Sequence, residues 1–493
     1  MNGIWLVALP LLGAFLLPII YRRHTLAGYW TGPFILLINF GVALEIWRDI
    51  TKAAEPQIIA MGGFAAPLGI IFYVDKLALL FVMVIVLGTL ILWLGNKQGQ
   101  VREETLSLLI VAGGCGLALS GDLFNIYVFY EIVAVASYGL AASGGSGAGY
   151  AASLRFLVLS ALGSALLLLG IALIYAVTGT LNLAHLAELA PQMLNGPEGL
   201  VAFALILIGL GVKAELFPVN TWVPEVYATA PARVSALLGG IVSKLALLVV
   251  LRLLVLIYAD NTDAHLLLLS LGVLGVITGE LAALRATDLR QVLAYSSIGQ
   301  LGLVAIAFAI PGPAGIIAGI ALALHHAVAK PALFMLTPAW GGHLKNLVNA
   351  AQVSMPSALL FLGLALSLIG IPPLPGFWAK LLLVMGALGT TDNVGWYQMA
   401  IAVVLIATVI KTAYFLRIVR LMFQQQSKLQ PAKPRQHELA PAWALVVILL
   451  ISIFALVPIS KGLKTVAENA ADRKAYINNT LYPDKPDLKK VES

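Results

Sequence analysis

The chain has 493 residues, of which 60% are hydrophobic and only 11% are charged, whereas a soluble domain usually carries about 25% charged residues. This composition excludes an ordinary soluble protein and indicates that lipid surrounds most of the chain. The formal net charge is +7, but the basic residues are scattered over short loops and the C-terminal tail, which argues against a nucleic-acid-binding module.

Apolar runs long enough to cross a bilayer, about 20 residues each, recur along the sequence with short polar breaks between them. The first run lacks a basic leader and a small-residue cleavage site, so we interpret it as a transmembrane helix and not as a removable signal peptide. The pattern predicts an all-α, polytopic membrane protein of about fourteen transmembrane helices. The predicted spans are 3–20, 28–47, 73–95, 105–121, 123–142, 154–178, 200–215, 232–258, 264–284, 291–310, 313–338, 355–388, 395–424 and 441–459.

Lys and Arg are concentrated in alternate loops, and positive residues are retained on the cytoplasmic side of a membrane. The intervening loops, such as 182–199 and 258–265, are almost free of both residues. We therefore expect both termini on the outer face, although the lysine-rich tail 461–493 would then also lie outside. The residues that set this orientation are Arg22, Arg23, Lys97, Arg102, Arg155, Arg233, Arg285, Arg290, Lys345, Lys428, Lys433 and Arg435.

Prolines interrupt two apolar segments, 209–231 and 368–383, and each interruption carries a lysine, Lys213 or Lys380. Backbone groups freed at membrane depth survive only where protein or a water-filled cavity satisfies them. Paired broken helices point to an internal repeat with a site at mid-membrane. The predicted organisation is an N-terminal three-helix segment 1–104, two five-helix repeats 105–258 and 264–424, a last transmembrane helix 441–460 and a polar tail 461–493.

Glu131 lies in the middle of an apolar run. An ionised side chain at the bilayer centre costs about 3 kcal/mol, so it persists only when it is paired, hydrated or used. We expect Lys213 to be its partner, because burial favours a neutral lysine while a nearby carboxylate favours a charged one. Movement of Glu131 would then switch Lys213 between holding and releasing a proton. The alternatives are a static ion pair and, for Lys213, a lysine that snorkels to the interface.

Other titratable residues in the middle helices predict a proton pathway along the membrane plane. Lys244, His326 and Lys380 are its main members, and histidine can take a proton on one nitrogen and release it from the other. Snorkelling is the alternative for Lys244 and Lys380. The secondary candidates are His325, for which we favour a packed and hydrogen-bonded imidazole, Lys330, which precedes Pro331 and could end a helix, and Lys411.

The remaining polar residues of the apolar runs have simpler interpretations. Asp75, Arg252 and Glu280 lie near predicted helix ends, where interfacial or pairing roles are common. Ser160 and Ser164 belong to a small-residue segment that lets helices approach closely.

Several kinds of chemistry are disfavoured. Cys115 is the only cysteine, which excludes an intramolecular disulfide and a cysteine-built metal site. The sequence has no phosphate-binding glycine loop followed by lysine and a hydroxyl residue, and no HExxH motif. We expect this chain to carry no cofactor and no metal, and to be a transporter subunit rather than a redox enzyme in its own right.

Four long motifs are distinctive, namely VKAELFPVNTWVPEVYATAPARVSALLGGIVSKLALL, DLRQVLAYSSIGQLG, HHAVAKPALF and SLIGIPPLPGFWAK. They resemble the antiporter-like subunit family shared by respiratory complex I, membrane-bound hydrogenases and Mrp-type cation/proton antiporters. The resemblance covers about 75–411 and implies fourteen core helices with two inverted five-helix repeats, each with a broken helix. It also implies that Glu131, Lys213, Lys244, His326 and Lys380 are the functional residues of the fifth, seventh, eighth, eleventh and twelfth helices.

Two positions beside the first broken helix depart from the family pattern: Asn220 stands where histidine is common, and Glu225 where aspartate is common. The segment 154–184 is most similar to the D-type subunits of Mrp antiporters. The resemblance therefore implies a proton-translocating subunit of a multisubunit Na⁺/H⁺ antiporter of a prokaryotic cell membrane. Its expected partners are other membrane subunits and protons, with Na⁺ as a candidate.

Two other functions stay open. One is a proton-pumping subunit of a complex I-like oxidoreductase or a membrane-bound hydrogenase, with redox chemistry in partner chains. The other is a structural membrane scaffold whose buried charges are static.

Overall fold

The computed structural model of the protein describes residues 2–95, 100–425 and 436–483, without the side chains of 436–438. The loop residues Lys97, Lys428, Lys433 and Arg435, and residues 484–493 of the predicted tail, lie outside the described residues.

Twenty-one α-helices make up most of the regular structure in the described residues. Several begin at a residue whose side chain accepts hydrogen bonds from the first free amides of the helix, as Asp75, Asp122, Asn261 and Asp288 do. In chain order they are α1 (Trp5–Arg23), α2 (Thr25–Ala53), α3 (Lys76–Trp93), α4 (Val101–Leu119), α5 (Leu123–Ala141), α6 (Gly147–Thr178), α7 (Leu183–Met193), α8 (Pro197–Lys213), α9 (Val223–Thr229), α10 (Ala232–Leu237), α11 (Ser243–Leu256), α12 (Thr262–Arg285), α13 (Leu289–Ala309), α14 (Pro313–Leu336), α15 (Ala350–Val353), α16 (Met355–Ile369), α17 (Pro375–Leu388), α18 (Val394–Phe423), α19 (Gln436–Phe454), α20 (Leu456–Ala471) and α21 (Arg473–Leu481).

The predicted helical membrane architecture is confirmed. Each of the predicted apolar spans contains at least one helix. Within the described residues, 10 helices are long and apolar enough to cross a membrane, or up to 11 if the bent pair α19 and α20 is one span. The number of fourteen transmembrane helices therefore stays a prediction.

Four helices form the buried centre of the bundle. The segment Ala232–Leu256, which joins α10 to α11 through a π-helical turn at Leu238–Val242, is buried except at Arg233 and Val255, which are partly exposed. In α13, 18 of 21 residues are buried and in α14 18 of 24, whereas in α18 only 9 of 30 are buried. A helix that is apolar all round belongs in such a centre, so lysines and histidines carried by these helices are removed from lipid as well as from water.

A short antiparallel hairpin is an exception to the all-α prediction. Strand β1 (Gln57–Ala60) pairs with β2 (Ile71–Val74), with Gln57 opposite Val74. The third predicted span began at residue 73, but β-branched and aromatic residues favour a strand at 71–74. Asp75 then ends the strand, and its carboxylate caps α3 by accepting from the Ala78 amide at 2.8 Å.

Both predicted interruptions are present. Helix α8 ends at Lys213 and α9 begins at Val223, while α16 ends at Ile369 and α17 begins at Pro375. Side chains satisfy part of the freed backbone of the first break: Trp222 Nε1 donates to the Val212 carbonyl at 2.9 Å, and Asn220 Nδ2 to the Glu215 carbonyl at 3.2 Å.

Two outer elements differ from the sequence-based expectation. Helix α7 occupies part of the segment 182–199, which was expected to be a loop, and Asn182 caps its first turn. The last predicted helix, 441–460, stops at Phe454, where the chain bends by 89° into α20. Proline inside a helix clashes with the carbonyl four residues earlier, so Pro458 disfavours a straight continuation of α19. After the bend, Pro458 lies in the first turn of α20, where proline is tolerated. Residues 461–483 of the expected polar tail are largely helical.

Each half of the chain has a pair of backbone hydrogen bonds that joins two of its own loops, and the pattern is the same in both halves. Before α5, Leu123 N donates to Leu181 O and Leu183 N to Gly121 O, both at 2.9 Å. Before α13, Leu289 N donates to Gly342 O at 3.0 Å and Leu344 N to Thr287 O at 2.8 Å. Asp122 and Asp288 cap the two following helices.

Candidate functional site

Glu131 and Lys213 each bond to a serine of α6. The Ser164 hydroxyl donates a hydrogen bond to Glu131 Oε1, and Lys213 Nζ donates to Ser160 Oγ at 3.2 Å. Residues four apart on a helix lie on the same face, so the two hydroxyls follow one another along α6. The interpretation of Ser160 and Ser164 as packing residues missed these bonds, because sequence spacing does not reveal what a helix face touches.

Lys213 is buried and does not snorkel to the interface. Its side chain is enclosed at the end of α8, and its Nζ lies 3.2 Å from the centre of the Tyr130 ring. The Tyr130 hydroxyl donates to Gly209 O at 2.6 Å, which fixes the ring beneath the ammonium group. Among the described residues, no ion pair within 4.0 Å joins Glu131 to Lys213. In place of the expected direct contact, each side chain bonds to its own serine of α6.

Lys244 lies two residues after the π-helical turn of Leu238–Val242 and is 2% exposed. Its Nζ donates to the Gly239 carbonyl and, at 3.0 Å, to the Ser243 hydroxyl. The wider π turn is a common feature of functional sites. The snorkelling alternative is wrong for Lys244, because the whole side chain stays inside the bundle.

The two adjacent histidines of α14 have different surroundings. His326 is fully buried, and its Nε2 lies 3.3 Å from Ser297 Oγ of α13. His325 Nε2 lies 2.8 Å from Ser367 Oγ of α16, in agreement with the packed, hydrogen-bonded imidazole that the sequence favoured. Neither Nδ1 has a hydrogen-bond partner in the part of the chain that the structure describes.

Lys330 does not end a helix. Helix α14 continues through Pro331 to Leu336, and Lys330 is fully buried with its Nζ donating to Leu293 O of α13 at 2.9 Å. A lysine with one neutral acceptor in such a place is costly, which is a reason to include it among the titratable groups.

A buried ion pair occupies the second half of the chain. Lys411 Nζ lies 2.9 Å from Glu280 Oε1, with side chains only 2% and 1% exposed. Lys411 also donates to Gln300 Oε1 at 2.9 Å, and the Tyr414 hydroxyl lies 3.0 Å from Glu280 Oε2. Glu280 is thus a pairing residue, as expected, but it lies at the core of the bundle and not at the interface.

Lys380 lies near the second break and is partly buried. Its Nζ donates to Ile369 O, the last carbonyl of α16, at 2.8 Å and to the Thr408 hydroxyl of α18 at 3.2 Å. The lysine therefore satisfies a helix end that the break leaves open.

Glu215 is a buried residue that the sequence interpretation did not place in the site. It lies in the first break, is 1% exposed, and accepts a hydrogen bond from the Tyr227 hydroxyl at 2.6 Å. Lys244 and Lys330 are its cationic neighbours, and Ser297 is a polar neighbour. Its proximity to Lys213 in sequence suggested only that this region could be interfacial.

Together these residues form a series of protonatable groups from α5 to α18. Most of them are held by neutral hydroxyls and carbonyls, which can accept from an ammonium group without fixing a second charge beside it. In the described residues, no group of three or more His, Cys, Asp or Glu side chains could hold a metal ion. The arrangement suits proton transfer along the bundle, because lysine, glutamate and histidine can each gain and lose a proton.

Comparison with known families gives the evolutionary setting of this site. The family described as "NADH:quinone oxidoreductase/Mrp antiporter, TM" matches residues 120–411, which is more than half of the chain. The chain belongs to this family. All eight titratable residues selected from the sequence lie within the matched range.

Two relatives illustrate the range of the family. The chain is 30% identical to the N-type subunit of the NADH-quinone oxidoreductase of Desulforudis audaxviator, over 92% of this chain and 94% of that protein. It is 32% identical to the D-type subunit of the Na⁺/H⁺ antiporter of Bacillus subtilis, over 76% of this chain and 78% of that protein.

Two solved structures of the family superpose on nearly the whole chain. A chain of the archaeal membrane-bound sulfane sulfur reductase, a respiratory membrane complex, gives a TM-score of 0.89 at 30% identity, with 97% of this chain and 99% of that chain covered. A chain of the Mrp complex from Dietzia sp. DQ12-45-1b gives 0.86 at 28% identity, with 97% and 98% covered. Both are parts of multisubunit membrane complexes, and this chain likewise partners with other membrane subunits.

Proposed function

We propose that this chain is the proton-translocating subunit of a multisubunit Na⁺/H⁺ antiporter of the Mrp type. Lys213 is the proton carrier, and Glu131 controls its charge through Ser164 and Ser160. Lys244 and His326 relay the proton, with His325, Lys330 and Lys411 as secondary members. Lys380 exchanges protons with one face of the membrane or with a neighbouring subunit. The proton motive force supplies the energy, about 2.3 kcal/mol per charge for each 100 mV.

The observation that carries this proposal is the burial of several ionisable side chains in one bundle. Lys213, Lys244, His326 and Lys330 are each at most 3% exposed. Each buried charge is expensive, and a protein that needed only stable helix packing would gain more from apolar residues of the same size. Groups that exchange protons account for this cost.

Two inverted five-helix repeats, 105–258 and 264–424, are part of the proposal. The matching backbone bridges at Gly121–Leu123 and Thr287–Leu289 support it, since each precedes the second helix of a repeat. An odd number of predicted spans separates these positions, so the two bridges would lie at opposite ends of the bundle, as inversion requires.

We also propose that the chain lies in a prokaryotic cell membrane with both termini outside. The first residues and the C-terminal helices share one end of the bundle: Gly3 N donates to Gln57 Oε1 at 2.9 Å, and the Tyr73 and Tyr476 rings are 3.9 Å apart. Arg155 lies in α6 and Arg233 in the first turn of α10, both at the other predicted end, where the positive-inside rule puts the cytoplasm.

The test is replacement of Glu131 or Lys213 by alanine, followed by an antiport assay in vesicles that carry the assembled complex. Both variants should lose antiport, while Ser153→Ala should retain it. Ser153 is a matched control because it also lies on α6, but it donates to the Tyr138 carbonyl and not to a titratable group. Normal antiport in both Glu131→Ala and Lys213→Ala would refute the proposed role.

A double neutralisation separates transport from a scaffold role. Lys213→Met combined with Glu131→Gln removes both charges without leaving either one unbalanced. If the chain is a scaffold with static charges, the complex that carries this variant should keep its antiport activity. If the chain is a proton relay, antiport should be lost.

A redox-driven pump subunit is the second candidate. Extensive similarity to the N-type subunit of an NADH-quinone oxidoreductase and to a chain of the sulfane sulfur reductase favours it. The proton pathway would be the same, with energy arriving from redox chemistry in partner chains. Purification of the native complex distinguishes the two: iron–sulfur or flavin subunits support a redox pump, and their absence supports the antiporter.

A further inference from the structure

Glu215 combines three unfavourable features in one residue. Its carboxyl group is buried with 1% exposure, and Oε2 has no hydrogen-bond partner among the described residues. Its backbone is left-handed, with φ of +58°, a conformation that is costly for a residue with a side chain. Such features persist where the surrounding structure enforces them, and they are common at functional sites.

The break after α8 explains how the carboxyl group is held in this place. Leu216 N donates to Gly211 O at 2.9 Å, so the chain turns back immediately after Glu215. The Glu215 carbonyl accepts from Asn220 Nδ2, and the Tyr227 hydroxyl fixes Oε1. One carboxylate oxygen is therefore anchored by Tyr227, and the other accepts no hydrogen bond from the residues that the structure describes.

Two relay residues are connected to this carboxyl group through shared neighbours. Lys244 Nζ donates to the Gly239 carbonyl, and Gly239 packs against the Tyr227 ring that holds Glu215. Ser297 also lies near Glu215, and its hydroxyl oxygen is 3.3 Å from His326 Nε2. Lys330 is a further cationic neighbour, on the same helix as His326. Glu215 thus lies where the first predicted repeat meets the second.

We propose that Glu215 is a proton-exchanging residue that joins Lys244 to His326. The Lys244 ammonium gives a proton to the Glu215 carboxylate, which leaves a neutral amine and a carboxylic acid. The acid then gives a proton to the Ser297 hydroxyl as that hydroxyl passes its own proton to His326 Nε2. The carboxylate is regenerated and one proton has moved. This step rests on the proposed proton-relay function and adds a residue to it.

The opposing interpretation is structural: the bond to Tyr227 would simply close the broken helix. A structural role needs an acceptor for the Tyr227 hydroxyl, and the amide oxygen of glutamine provides one. A relay role needs a group that can be protonated, and glutamine is not one. Glu215→Gln therefore separates the two roles with little change in shape.

The experiment compares Glu215→Gln with Glu225→Gln in vesicles that carry the assembled complex. Glu225 is a matched control because it lies in the same broken region, in an exposed ion pair with Arg155 whose side chains are 42% and 64% exposed. We expect at least a tenfold loss of antiport for Glu215→Gln and less than a twofold change for Glu225→Gln. An antiport rate within twofold of the unmodified complex for Glu215→Gln would overturn the inference.

Infrared difference spectra of the same samples give a readout that a structural role does not change. A proton-carrying Glu215 predicts a carboxylic acid carbonyl band that appears when the pH is stepped across the working range and is missing in Glu215→Gln. An unchanged band in a slow variant would assign the loss to structure and reject the relay role. If Glu215→Gln fails to assemble, Ser297→Ala decides, because normal antiport in that variant rules out the route to His326.

Lys213→Ala, measured in parallel, keeps the two proposals apart. Loss of antiport in Lys213→Ala together with normal antiport in Glu215→Gln would reject only the role of Glu215. Normal antiport in Lys213→Ala as well as in Glu131→Ala would reject the proposed function itself.

Discussion

The buried lysines of this bundle differ in what holds their ammonium groups. Lys213, Lys244 and Lys330 donate to hydroxyls and backbone carbonyls, whereas Lys411 makes a direct ion pair with Glu280. A neutral acceptor leaves a lysine free to lose its proton, but an adjacent carboxylate favours its charged form. Lys411 therefore differs from the other three lysines in having a carboxylate as its direct partner.

The Glu280–Lys411 pair predicts an asymmetric response to neutralisation. Glu280→Gln or Lys411→Met alone leaves a buried charge without its partner, which should destabilise the protein by about 3 to 5 kcal/mol. The double variant should be more stable than either single variant, since no unbalanced charge remains. Thermal unfolding of the purified complex in detergent measures the stability of each.

Antiport by the double variant then assigns the role of Lys411. A stable but inactive double variant would make Lys411 a member of the relay, and a stable and active one would make the pair structural. If the double variant were less stable than both single variants, the pairing argument itself would be wrong.

Sequence reasoning located many of the titratable residues of the site, because an ionisable side chain inside an apolar run is conspicuous. It did not find Glu215 or the core position of Glu280. Glu215 follows Lys213 so closely that both could lie at an interface, and Glu280 is five residues from the helix end at Arg285. Lys244 lies near Glu215, and Lys411 near Glu280, only because of the tertiary packing. A single sequence does not show those contacts.

Among the elements, the π-helical turn between α10 and α11 sets the position of Lys244. Gly239 and Gly240 lie within it, and a methyl group on Gly240 would overlap the ring of Pro331 on α14. The close approach of the turn to α14 keeps Lys244 beside α13 and beside α14, which carries His326 and Lys330. The two glycines of the turn therefore allow the close packing that positions Lys244.

Gly240→Ala should destabilise the protein by about 1 to 3 kcal/mol, since the added methyl group forces the π-helical turn away from α14. Gly363→Ala is the matched control, because an added Cβ there meets nothing within 4 Å and alanine is the better helix former by about 1 kcal/mol. Thermal unfolding compares the two. Equal melting temperatures for Gly240→Ala and the unmodified protein would show that the helices can separate without cost.

Periodicity and proline positions predicted the helices and both breaks well, since each depends on local sequence. The β1–β2 hairpin and α7 were missed for the opposite reason. Residues 71–74 are apolar and adjoin a long apolar helix, so hydropathy alone merges them with it. Helix α7 is too short to span a membrane, and a search for spans passes over it.

At the scale of the whole molecule, the C-terminal helices contact several elements at one end of the bundle. Arg473 Nη1 lies 3.0 Å from Asp260 Oδ2, in the loop between the two predicted repeats, and its other nitrogens donate to Ala187 O of α7. The Tyr476 ring packs on Tyr73 of the hairpin, close to the buried pair of Asp75 and Arg252 at 2.5 Å. One short segment therefore contacts the hairpin, the first predicted repeat and the loop between the repeats.

Arg473→Ala should consequently destabilise the protein by about 2 kcal/mol, because its hydrogen bonds are charge-assisted and the Ala187 carbonyl would lose its donor. Lys464→Ala is the matched control on the preceding helix α20. Its ion pair with Glu468 is 3.8 Å long, with side chains 69% and 53% exposed, and such a pair contributes less than about 1 kcal/mol. Thermal unfolding of the two variants should therefore differ clearly, with Arg473→Ala the lower. If both variants melted at the temperature of the unmodified protein, the contacts of the C-terminal helices would not stabilise the bundle.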